Sequence, residues 1–127
     1  MIKKKKTIPF EFVIENLYAA NPVVKQMFGC HSIYVEDKIV LALRDKDDED
    51  SGVWIGTSKE HHQSLKKDFP NMRSIKIFGP GTSGWQVLYK EDTDFETSVN
   101  KVCELILKGD ERIGKVPKPR SKKKIRI

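Results

Sequence analysis

The sequence predicts an α+β fold: a single antiparallel sheet of about five strands with helices on one face, in the order α-β-β-β-α-β-β-α. Three observations carry this. Residues 32 to 35 (SIYV) and 38 to 44 (KIVLALR) are β-rich runs separated only by Glu36 and Asp37, the spacing of a hairpin. Residues near both ends of the chain place apolar side chains at helical spacing. Strands joined by short turns pair antiparallel, and helices segregated to one side of such a sheet give a two-layer α+β arrangement.

The elements follow in order. Phe10, Val13, Ile14, Leu17 and Tyr18 mark a first helix over residues 9 to 20, opened by Pro9 and stopped by Asn21-Pro22. Val23 to Met27 reads as a further short turn. The hairpin of residues 32 to 44 comes next, then an acidic loop, DKDDEDS, over residues 45 to 51. GVWIGT, residues 52 to 57, is a third strand. Thr57-x-x-Glu60 has the form of a capping box and opens a helix that runs to about Phe69, where Pro70-Asn71 ends it. Arg73 to Phe78 alternates as a strand. GPGTSG, residues 79 to 84, is a turn, and Trp85 to Tyr89 is the fifth strand. Thr93-x-x-Glu96 is a second capping box. It precedes a stripe of Phe95, Val99, Val102, Cys103 and Ile106 that closes on Lys108 and Gly109.

At 127 residues, with 38% apolar and 33% charged content, the chain is one domain able to fold without a metal or disulfide. Its two cysteines, Cys30 and Cys103, read as buried thiols. The basic start is followed at once by Thr7-Ile8-Pro9-Phe10-Glu11, not by the apolar stretch of a signal peptide. No apolar run approaches the ~20 residues of a membrane span, so the expectation is a cytoplasmic protein.

The net charge of +6 is divided unevenly. All 18 acids lie between residues 7 and 114, whereas eleven of the 24 basic residues lie outside that range. The middle is therefore mildly acidic and the ends strongly cationic. This predicts a basic arm over residues 1 to 8, a folded domain over 9 to 114, and a basic disordered tail over 115 to 127. Such arms bind polyanions through counterion release without reading sequence. The candidate nucleic-acid contacts are Lys3, Lys4, Lys5 and Lys6 in the arm, with Lys118, Arg120, Lys122, Lys123, Lys124 and Arg126 in the tail. A solvated tail that only aids solubility is the simpler alternative.

Readings with catalytic or metal chemistry are weak. The acidic loop has Asp50 where a calcium loop needs Gly, and Gly56 where it needs Glu. His61 and His62 are adjacent on a helix and cannot share a metal as an i, i+4 pair would. Cys30 and His31 are strand neighbours and point to opposite faces. The GPGTSG loop holds no lysine and precedes a strand, so it is not a phosphate cradle. Trp54, Phe78, Trp85 and Tyr89 on strands, with Arg73, Lys76 and Lys90 nearby, form a candidate base-stacking surface. Core packing explains the same aromatics. No catalytic residue, cofactor or metal site is assigned.

Met27-Phe28-Gly29, followed by Ile33-Tyr34, a short acidic turn and a second apolar strand, resembles the signature of the TfoX/Sxy N-terminal domain. Cys30 stands where that family usually has a second Gly, which puts the form of the turn in question. The YjbR/MmcQ proteins are a close competitor. The resemblance spans about residues 9 to 109 and implies a non-enzymatic regulatory or adaptor domain that acts with a protein partner. The alternatives are a small-ligand-binding protein or enzyme with a pocket near Trp85, and a free-standing nucleic-acid binder. Dimerisation by strand addition would need an exposed edge.

Overall fold

The computed structural model describes residues 8–27, 29–77 and 84–116. It is an α+β fold built on one open antiparallel sheet. The first helix, α1, is shorter than its pattern predicts and covers Glu11–Asn16. Phe10 precedes it in the left-handed region, φ 54, a conformation that costs a non-glycine residue roughly 1 kcal/mol. The Phe10 ring packs edge-on against Phe95, 5.4 Å between centroids, which offsets that cost and fixes the helix start. Tyr18–Ala20 tightens into a 3-10 turn, and Asn21 reverses the chain at φ 54.

Val23–Met27 is not a further turn but a strand, β1. Its partner explains the difference: all five residues pair antiparallel with Cys30–Val35, β2, from Val23 opposite Tyr34 to Met27 opposite Cys30. Gly29, at φ 73, supplies the backbone freedom for the reversal between them. β2 pairs in turn with β3, Lys38–Arg44, the hairpin predicted from the alternation. Val40 is an extra residue in β3, between Ile39 opposite Tyr34 and Leu41 opposite Ile33. That bulge lets Val40 and Leu41 join the same core cluster.

The sheet continues through β4 (Gly52–Ile55), β5 (Arg73–Ser74) and β6 (Gln86–Tyr89). Strand order is β1-β2-β3-β4-β6-β5, so β1 and β5 are the edges among the described residues. The count is six because β1 is added to the five predicted. The strand expected over Arg73 to Phe78 stops at Ser74. The buried carboxylate of Asp50 accepts the backbone N–H groups of Lys76, at 2.9 Å, and Ile77, at 2.8 Å, which diverts the chain from the ladder. Phe78 lies outside the described residues.

Neither capping box forms. Thr57 Oγ1 donates to the Arg112 carbonyl at 2.6 Å, and a 3-10 turn at Lys59–His61 leads into α2, His62–Asp68, with no side-chain cap on either. The last helix, α3, is Phe95–Leu107 and begins after Asp94 rather than Thr93. The Asp94 side chain instead accepts from Asn71. Its C-terminus behaves as predicted: Gly109 sits at φ 79, with Gly109 N–H to Ile106 O and Asp110 N–H to Leu105 O, the paired bonds of a Schellman turn.

All three helices contribute to one core, where Val13, Leu17, Leu65, Phe69, Val99, Val102 and Cys103 meet Ile33, Leu41, Leu43, Val53, Ile55 and Leu88 of the sheet. A smaller cluster on the opposite sheet face holds Cys30, Ala42, Trp54, Ile75 and Val87. The chain after α3 returns to the sheet. Ile113 is buried, Gly114 N–H bonds Gly56 O, and Lys115 exchanges two backbone hydrogen bonds with Ile39. Lys115, assigned to the tail by composition, therefore belongs to the folded body.

Candidate functional site

The signature residues are structural where the structure describes them. Ile33 is fully buried under the helices, and Gly29 makes the β1–β2 turn. Tyr34 points to the other face, where the Lys25 ammonium lies 4.9 Å from its ring centroid. Phe28 lies outside the described residues, and of Met27 only the backbone enters this account.

The pleat separates Cys30 from His31, as the sequence predicts. Cys30 belongs to the small cluster, whereas His31 pairs with Leu43 on the helix-covered face. Burial pushes the Cys30 thiol above its ordinary range, against the lowering pull of the Arg44 guanidinium. Cys103, in the main core, is pushed up by burial to about 11. Both thiols thus favour the protonated form, the opposite of an activated nucleophile. His61 contacts Glu60 at 3.3 Å, while His62 Nε2 lies 3.0 Å from the Gly84 carbonyl.

In the acidic loop, Asp48 pairs with Arg44, Asp45 with Lys90 at 2.8 Å, and Glu49 with Lys76 at 2.8 Å. The Arg44 hydrogen bond holds the Asp48 carboxyl below its usual range, and Asp45 raises Lys90. Asp50 turns inward to Arg73 and the amides of Lys76 and Ile77. Among the described residues no group of three or more His, Cys, Asp and Glu is placed to hold a metal ion.

The stacking surface does not assemble around Trp54. That ring is 1% exposed and its Nε1–H donates to Asp50 O at 2.8 Å. Trp85 is half-buried and packs tilted on Trp54, 5.8 Å between centroids. Arg73 lies over the Tyr89 ring, and Lys76 and Lys90 are tied to carboxylates. Residues 79–83 of the glycine-rich turn lie outside the described residues. The candidate contacts Lys3, Lys4, Lys5, Lys6, Lys118, Arg120, Lys122, Lys123, Lys124 and Arg126 also lie outside them.

What the structure offers instead is a surface that the sequence reading did not find. Among the described residues β1 forms a five-residue sheet edge. Val23 within it is 52% exposed, and Tyr18, in the 3-10 turn that precedes it, is 79% exposed. A groove of about 510 Å³ has a mixed lining, with Ala20, Val35 and Leu107 beside Asn21, Glu36, Lys38 and Asp110. A second groove, about 450 Å³, lies at the Gln26 end of β1 and is lined by Pro9, Gly29, His31, Leu43, Asp45 and Lys46. Trp85 lines neither. The signal for β1 was two β-branched valines after Pro22, outweighed by the preceding helical pattern.

Scans against protein-family models, against curated proteins and against solved structures each found no match for this chain. Among the described residues, no helix is long and apolar enough to cross a membrane.

Proposed function

We propose that this chain is a non-enzymatic regulatory or adaptor domain of the TfoX N-terminal type, whose folded body binds a protein partner. The observation that carries the reading is the β1 edge, with Val23 exposed in the strand and Tyr18 exposed in the turn that leads into it. An edge strand offers unpaired backbone groups, and proteins recognise one another by adding a strand there. The two protonated, buried thiols and the ion-paired acidic loop support a binding role over a catalytic one.

Crosslinking capture by the full chain tests this. Val24→Pro on the edge removes a backbone donor, and Tyr18→Ser with Leu107→Ser removes apolar surface. The expected result is loss of captured partners in one or both variants, with each variant still folded by circular dichroism. Equal capture by wild type and both variants overturns the reading.

A second reading rests on charge. Eleven of 24 basic residues lie outside residues 7–114, against none of the 18 acids, so the ends would hold nucleic acid nonspecifically. Duplex-DNA binding by the full chain should then weaken steeply with salt. It should disappear when Lys3 to Lys6 and the basic residues from Lys118 to Arg126 become Gln. Unchanged binding in that variant removes the tail mechanism.

A further inference from the structure

We infer that the β1 edge accepts an extended acidic segment of a partner protein, as a seventh and antiparallel strand with a carboxylate opposite Lys25. The inference rests on the partner-binding reading and names the partner's chemistry.

The backbone comes first. Every pair in this sheet is antiparallel, and β1 uses one of its two sides to pair with β2. In an antiparallel ladder the peptide groups of alternate residues turn to opposite sides. Among the described residues no strand covers the outer side of β1, which therefore presents donors and acceptors to another strand.

Side chains then select the occupant. Lys25 is central in Val23–Met27 and lies on the same face as Val23, as their partners Ser32 and Tyr34 require. A second copy of this chain is a poor fit. A two-fold pairing centred on Lys25 sets two ammonium groups opposite each other. Pairings centred on Val24 or Gln26 set Lys25 against Val23 or Met27. β1 holds no acid, so no symmetric register gives Lys25 a carboxylate. Like charges directly opposite are destabilising and opposite charges stabilising.

The surroundings agree. Of the carboxylates near the far end of β1, Asp45 is paired with Lys90 and Asp48 with Arg44. Lys46, which lines the groove with Gln26, and Lys25 make no ion pair among the described residues. β1 itself carries one cation and no acid, on a body that is acidic overall. A complementary strand carries a polar residue opposite Gln26, Asp or Glu opposite Lys25, and apolar residues opposite Val24 and Val23.

The probe is the blocked peptide Thr-Thr-Glu-Val-Val-Thr, titrated into the 15N-labelled full chain, beside the same peptide with Lys replacing Glu. The expected result is saturable shifts of the β1 amides, about threefold to fivefold tighter for the acidic peptide, the scale of one exposed charge pair. Lys25→Glu, at an exposed site, should reverse the preference while the remaining spectrum stays folded. Absence of β1 shifts with either peptide overturns the inference, as does a preference that Lys25→Glu leaves unchanged. Concentration-dependent β1 shifts without peptide overturn it in favour of a second copy. Failure here with capture still sensitive to the Tyr18 and Leu107 changes leaves the adaptor reading standing and moves the partner to the groove.

Discussion

A Cβ at Gly56 would lie 2.5 Å from the Ile39 carbonyl oxygen, whereas one at Gly109 would meet nothing within 4 Å but would sit at φ 79. The two glycines therefore respond differently. Gly109→Ala should cost only the left-handed conformation, about 1 kcal/mol. Gly56→Ala must displace the β3 backbone and should cost about 2 kcal/mol or more. Thermal melts of both variants compare the two directly, and an equal loss would contradict the close approach. The carboxyl group of Asp110 is a second test. Hydrogen bonds from Arg112 hold it below the usual carboxylate range. A depressed folded-state pKa gives stability that is present above the unfolded value, near 3.9, and lost as pH falls through the folded one. Asp110→Asn should lower stability at neutral pH by about 1–2 kcal/mol. It should also flatten the decline below about pH 4, and a decline as steep as wild type would count against this assignment.

Among the elements, those whose determinants are local were legible and those settled by distant partners were not. The β2–β3 hairpin was readable because its alternation and two-residue turn lie within residues 32–44, and the Schellman end of α3 because Lys108-Gly109 is adjacent to the stripe. β1 was missed because five residues acquire strand character only by pairing with β2, and with it went the candidate edge site. Thr57 looked like a helix cap, yet its hydroxyl is taken by Arg112, 55 positions away. β5 was overestimated because Asp50 draws off the amides of Lys76 and Ile77. Asp50→Ala should leave those two N–H groups and Arg73 without their carboxylate, at a cost of about 2–4 kcal/mol. Native-state hydrogen exchange reads this locally: the amides of residues 76 and 77 should lose protection first. Equal protection loss across the whole sheet would mean that Asp50 acts on global stability and not on this segment.

At the scale of the molecule, one sheet serves two cores. β3 gives Leu41 and Leu43 to the helix-side cluster and Ala42 to the Trp54 cluster, and β4 gives Val53 and Ile55 to the first and Trp54 to the second. No residue of α1, α2 or α3 enters the smaller cluster, so the two faces can be followed by separate probes. Far-UV circular dichroism reports the helices, and tryptophan fluorescence reports Trp54 and Trp85 on the opposite face. Because alternate residues of the same two central strands hold both clusters, neither face can lose its packing while the other keeps its strand alignment. The two probes should therefore give superimposable denaturant transitions, as a small two-state domain requires. Leu41→Ala, which opens a cavity under the helices, should cost about 2–5 kcal/mol and move both midpoints together. A fluorescence transition that stays at the wild-type midpoint while the helical signal shifts would separate the faces and show the sheet to be less cooperative than its shared strands imply.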